Sequence, residues 1–200
     1  MEIGSILYSD RHGHYIGEVL TKPDVENPPS PDDYGLGRFV KICVEKREIY
    51  GVIFNTILYN PLYNFWRSRR IPNQQERNIL APDSADDATT MIEILLVGSA
   101  VDNSFSQDIS GLAIPQYSKI FKASDEEIKK LHRSENGNLQ MRYLDELLFY
   151  SDRNFKIVLG EIIRKLKNYC NKEDHKKLDL IFRNFLLQRN FFLSNGNYRR

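Results

Sequence analysis

A chain of 200 residues suits one compact domain, or one domain with a sizeable appendage. A hydrophobic fraction of 41% and a charged fraction of 28% are ordinary globular usage. The net charge of +1 excludes a general electrostatic mandate for nucleic acid or membrane. The sum hides an asymmetry, −4 up to Lys122 and +5 from Ala123 onward. Modest imbalances of this kind describe solvated surface. Two cysteines, Cys43 and Cys170, each lie in an apolar run with no CxxC partner, which reads as buried thiols in a reducing compartment. The N-terminus carries no secretory pattern and no apolar run is long enough to span a bilayer, so the expectation is a cytosolic protein with no membrane partner.

Ile3–Tyr8 and Tyr15–Leu20 read as two strands around a polar tip, Ser9 to His14. Lys22 to Gly37 holds Pro23, Pro28, Pro29 and Pro31, a density that no helix or central strand survives. The stretch Gly35 to Ile57 organises the β half. Its runs Arg38–Val44 and Ile49–Ile57 flank the charged break Glu45-Lys46-Arg47-Glu48, which predicts an antiparallel hairpin. Gly51 inside the second run predicts a bend or bulge of the kind a small barrel needs to close. Asn73 to Thr90 reads as a polar excursion, Met91–Val101 as the strongest strand, and Lys119–Lys122 as a short closing strand.

The texture changes at Ser124. Ser124 with Glu127 three residues later is a capping box, and the acids beside it suit a helix N-terminus. Met141–Tyr150 reads as a second helix, and Asp152 as the cap of a third. In that third helix Phe155, Val158, Leu159, Ile162, Leu166 and Tyr169 share one face. Glu173–Leu193 repeats the pattern. Strands first and helices afterwards give an α+β fold: a small antiparallel β-barrel over residues 1–123, then a helical region over 124–200 packed on or beside it. Apolar stripes this rich need a partner surface.

Ile3-Gly4-Ser5-Ile6, Gly37-Arg38-Phe39-Val40-Lys41-Ile42 and Tyr50-Gly51-Val52-Ile53 resemble the glycine-anchored strands of the HAS barrel. That barrel is shared by HerA-type DNA translocases and the N-terminal domains of rotary ATP synthase subunits. Leu96-Val97-Gly98, Leu112-Ala113-Ile114-Pro115 and Lys119 to Ile128 resemble its closing portion in HerA-like proteins. The likeness covers about Met1 to His132. HerA-like enzymes follow the barrel with a P-loop ATPase core, and no G-x-x-x-x-G-K-[ST] occurs here, so ATPase activity does not carry over. What the resemblance implies is the barrel's other role, an assembly or docking collar.

Candidate sites are sparse. His12 and His14, with Asp10 nearby, place two rings two residues apart on one prospective strand, but zinc needs further ligands and His132 and His175 are remote. Asp83, Asp86 and Asp87 lack the spacing of a calcium loop. No nucleophile elbow or zincin helix is present. The best contact candidate is Phe65, Trp66, Arg67, Arg69 and Arg70, where guanidinium groups suit phosphate and the rings suit base stacking. The competing reading buries Trp66 and lays the arginines over a barrel rim. The expectation is a non-enzymatic adaptor without cofactor or metal, docking on a partner protein, with a HerA-like ATPase or nuclease system as the partner class that the resemblance implies. The alternative is a nucleic-acid-binding protein using Phe65 to Arg70. A homo-oligomer is left open.

Overall fold

The computed structural model describes residues 1–22, 24–59, 89–109, 111–134, 136–151 and 154–195, with side chains left aside at 151 and 188–195. Its strands are β1 (Glu2–Arg11), β2 (His14–Val19), β3 (Phe39–Val44), β4 (Arg47–Tyr59), β5 (Thr89–Val101), β6 (Ser104–Ser106) and β7 (Lys119–Lys122). Its helices, among the described residues, are α1 (Asp125–Leu131), α2 (Leu144–Ser151), α3 (Phe155–Lys167) and α4 (Lys172–Asn195). The strands pair antiparallel in the order β2-β1-β7-β3-β4-β5, and β5 returns to β2 with His14 opposite Leu95 and Glu18 opposite Met91. The result is a closed six-stranded antiparallel barrel followed by helices, with β6 appended to one end of β5. The closing strand falls at Lys119–Lys122, as its sequence indicates.

Alternation along the strands sorts side chains into two cores. On β4, Ile49 and Ile53 point inward while Tyr50, Val52 and Phe54 point outward. On β5, Ile92, Ile94 and Leu96 point inward while Leu95 and Val97 point outward. The inner set joins Ile3, Ile6, Val40, Ile42 and Ile120, and aliphatic side chains fill the barrel. The outer set packs under Ile128, Leu131, Leu144, Leu147, Phe155, Val158, Leu159 and Ile162 of the helices. Apolar residues on both faces give β4 and β5 their continuous hydrophobic runs.

Glycine permits the tightest crossings. A Cβ on Gly4 would lie 1.9 Å from the Glu18 carbonyl oxygen of the neighbouring strand. At Gly51 it would meet Ile94 at 2.3 Å, and the β4–β5 register shifts there, as expected of a bend in a closing wall. The capping box is formed: Ser124 Oγ accepts from Glu127 N, and Ser124 N donates to Glu127 Oε2 at 2.7 Å. Glu127 also reaches back to the barrel, where its Oε1 accepts from Lys41 Nζ at 2.5 Å. Burial opposes the charge on Glu127, but Lys41 and the two cap contacts hold its carboxyl below the usual range.

Several local expectations change. The tight turn between β3 and β4 is Glu45-Lys46, with Glu45 at φ 54°, and Arg47 and Glu48 already belong to β4. Cys43 is exposed, because Ile42 and Val44 take the inward positions either side of it, and Cys170 beyond α3 is half-buried. Met141 and Arg142 precede α2, which starts at Leu144. Asp152 lies outside the described residues. Asn154 occupies the cap position of α3 without a side-chain cap bond, donating instead to Asn55 Oδ1 at 3.1 Å. The proline-rich stretch contains no regular element among its described residues. It is held by Asp24 Oδ2 accepting from Thr21 N at 2.7 Å and Asp33 Oδ2 accepting from Ser30 N at 3.0 Å.

Candidate functional site

β3 stops pairing with β4 at Val52, and two further backbone bonds, Ile53 N to Arg38 O and Gly37 N to Ile53 O, end that ladder. β4 nevertheless runs on to Tyr59, paired on its other side with β5 as far as Tyr59 opposite Thr89. Among the described residues, no strand pairs with the far edge of this tail. Thr56 is exposed, and Ile57, Leu58 and Tyr59 follow at 36%, 79% and 40% exposure. Consecutive exposed apolar residues break the inside–outside alternation, so the tail overhangs the wall. No charged residue occurs between Glu48 and Arg67 to guard this edge.

A polar cluster borders the tail. His14 is buried at the start of β2, its ring against Phe54 and Tyr150 at centroid distances of 5.1 and 5.5 Å. Asp10 Oδ1 approaches Nδ1 to 2.7 Å without an aligned N–H···O bond, and Glu93 Oε2 stands 3.9 Å from Nε2. Arg11 lies over the Tyr150 ring at 5.2 Å. Burial disfavours the Asp10 carboxylate, yet His14 and Arg11 beside it hold its pKa below the ordinary value. His12 sits in the exposed turn, so the two rings do not share one strand face as their spacing suggests. The cluster draws β1, β2, β4, β5 and α2 together, and Glu93 and Tyr150 enter it from positions that no motif marks. Among the described residues, no three His, Cys, Asp or Glu side chains form a group able to hold a metal ion.

Two clefts lie elsewhere. One of about 340 Å³ is lined by Arg38, Lys122, Arg164 and Lys165. Three of those cations already face carboxylates: Lys122 meets Asp33 at 2.7 Å, Lys165 meets Asp125 at 2.6 Å, and Arg164 pairs with Glu161. The Lys122 and Ser30 contacts lower Asp33 to about 2. The other, about 530 Å³, lies between the β5–β6 turn and α1, with Lys130 over the Phe105 ring at 5.7 Å. Neither brings together a nucleophile and a base.

His132 and Gln107 are buried polar groups used in packing. His132 caps α1, with Nδ1 2.8 Å from the Ile128 carbonyl and Nε2 2.7 Å from the Tyr143 hydroxyl. That pairing makes Nδ1 the donor and Nε2 the acceptor of a neutral ring. The Gln107 amide donates to Leu131 O and Gln140 O, both at 3.0 Å, and its oxygen accepts from Arg142 N at 2.7 Å. It ties the segment after β6 to the connection between α1 and α2.

Phe65, Trp66, Arg67, Arg69 and Arg70 lie outside the described residues, as do Asp83, Asp86 and Asp87. The β4 tail ends at Tyr59, six positions before Phe65. No helix among the described residues is long and apolar enough to cross a membrane.

The fold therefore defines a closed β-barrel with helices seated on its outer wall and exposed apolar residues at one end of that wall. The chain belongs to the family described as Domain of unknown function (DUF8166), which it matches over residues 1–190, a span that takes in the barrel and most of α4. No curated protein matches it.

Proposed function

We propose that the protein is a non-enzymatic adaptor that docks on a partner protein. The observation that carries this reading is how the barrel is used. Its interior is filled by apolar side chains, most of them aliphatic, and the wall of β4 and β5 is covered by helices. A filled barrel serves as scaffold, and its work falls to the surface left over. Exposed apolar side chains on the β4 tail supply such a surface. The close strand crossings at Gly4 and Gly51 support the likeness to the HAS barrel, a fold that serves as a collar on ATPase rings. A HerA-like ATPase, alone or with a nuclease, is accordingly the class of partner to test first.

The test is quantitative isolation of the tagged protein from its native cell, followed by reconstitution with the purified candidate. Co-elution of the two at physiological salt is expected. If the protein instead forms a submicromolar complex with DNA or RNA at that salt, lost on replacing Arg67, Arg69 and Arg70 by Ala, the nucleic-acid reading replaces this one. Such a complex would weaken with a log–log salt slope of about −2 to −3, for three neutralised phosphates.

A further inference from the structure

We infer that Asn136 is a self-modification site, converted through a cyclic imide to aspartate and isoaspartate by the backbone nitrogen of Gly137, and that the conversion loosens the contact between this turn and α4. Ring closure needs an asparagine amide that can swing onto the next peptide nitrogen, no side chain at the following residue, and a backbone that leaves its resting conformation readily. Asn136 and Gly137 are both exposed, in the connection between α1 and α2. Gly137 stands at φ 73°, and its N–H donates to Ser134 O at 2.8 Å. A single hydrogen bond at an exposed turn opens without disturbing the core. Asn138, two residues on, provides the contrast. The branched side chain of Leu139 follows it, its carbonyl accepts from Ser134 N at 2.9 Å, and its own N–H donates to Ser134 Oγ at 3.1 Å.

The chemistry uses only water and hydroxide. Gly137 N loses its proton to hydroxide and attacks Asn136 Cγ. The N–Cγ bond forms, the Cγ–Nδ2 bond breaks, and the amide nitrogen leaves as ammonia after taking a proton from water. Water then opens the imide. Attack at Cγ restores the ordinary chain with an aspartate, and attack at the backbone carbonyl carbon leaves an isoaspartate, whose chain runs through Cγ and is one methylene longer. That extra length falls where it matters to a longer-range contact. Arg133 Nη1 donates to the Gly137 carbonyl at 3.0 Å while its Nη2 donates to Asp174 Oδ2 at 2.7 Å, in the first turn of α4. Asp174 is only 3% exposed. Displacing the Gly137 carbonyl therefore removes one of the two anchors that set the Arg133 guanidinium between the turn and α4.

The experiment holds the full chain at pH 7 and at pH 8, both at 37 °C, and samples it over weeks. Trypsin cleaves after Arg133 and Arg142 and releases Ser134–Arg142, apart from the peptide that carries Asn195-Gly196. Electron-transfer fragmentation separates aspartate from isoaspartate, with the unaged sample as zero. Conversion at Asn136 is expected at least tenfold faster than at Asn138, with isoaspartate among the products and a rate that rises in proportion to hydroxide. Asn136→Gln should show none at that position, because its closure would need a six-membered ring. In the isoaspartate fraction, amide exchange at Gly137 and Asn138 should be at least tenfold faster than in fresh protein. An unconverted Asn136, equal rates at 136 and 138, or aspartate without isoaspartate overturns the inference. Unchanged exchange in the isoaspartate fraction overturns the loosening of the turn.

Discussion

Acidification gives the sharpest test of the packing between barrel and helices, because His132 is buried in that layer with no charge beside it and its ordinary pKa lies in the acid range. Its ring is 1% exposed, lies edge-on to Phe39 at 5.1 Å, and meets only the Ile128 carbonyl and the Tyr143 hydroxyl. Burial lowers its pKa from 6.5 to about 4 and outweighs the opposing Ile128 bond. The unfolded chain therefore binds a proton in a range where the folded protein does not. Stability is complete above pH 6.5, falls between 6.5 and 4, and levels off below. With a folded value of about 4, the loss at pH 5 relative to pH 7.5 is about 2 kcal/mol. That is a large share of a typical domain stability of roughly 5–15 kcal/mol. Urea unfolding at both pH values, on the wild type and on His132→Gln, isolates this share as the difference between their two losses. The window lies above the range of the carboxylates, whose depressed values move their own contribution to lower pH. If His132→Gln loses as much stability as the wild type between pH 7.5 and 5, the assignment is wrong.

Tyr143→Phe leaves Nε2 of His132 buried without a donor and should destabilise by about 1–3 kcal/mol in the same urea assay. Gln107→Leu strips partners from Leu131 O, Gln140 O and Arg142 N together. A loss of about 2–4 kcal/mol is expected, with faster amide exchange at Arg142, and a neutral result would remove its bridging role. Gly4→Ala forces a methyl against backbone, so a melting temperature within a degree of wild type would contradict the 1.9 Å crossing. A fragment ending at Ala123 uncovers Phe39, Val52, Phe54, Leu95 and Val97 and should aggregate. A soluble, monomeric and equally stable fragment would show that the helices are dispensable.

Local chemistry was the legible part of this chain. The capping box at Ser124 and Glu127, the closing strand at Lys119–Lys122 and the bend at Gly51 each depend on residues within a few positions of one another. Long-range decisions were harder to read. Nothing in His14–Val19 or Met91–Leu95 announces that these strands pair and close the barrel. Val40, Ile42 and Val44 face inward and Cys43 outward, yet all four sit in one apolar run, so the outward thiol looks like core. His132 stands in a charged stretch, Lys129 to Arg133, and nothing in that stretch marks it as core. Its burial follows from the chain turning back at the end of α1, which brings Tyr143 and Phe39 against the ring. The polar cluster around His14 shows the same limit, since Glu93 and Tyr150 reach it from 79 and 136 positions away in the chain.

Strand length links architecture to the proposed role. β2 and β3 close the barrel with six residues each, while β4 and β5 have thirteen each. Seven residues of β4, Arg47 to Ile53, accompany β3, and closure needs no more of that strand on this side. The remaining six keep their ladder to β5 but contribute less and less to either core: Phe54 is buried against α2, Asn55 meets Asn154, and everything from Thr56 onward is exposed. No strand covers this edge among the described residues, and exposed Ile57 and Leu58 beside it favour aggregation. Shortening it, or placing a lysine at residue 58, would remove the liability without touching the barrel's interior or the helices seated on its wall. The length of β4 beyond its pairing with β3 is therefore not needed to close the barrel, and the docking reading gives it a use.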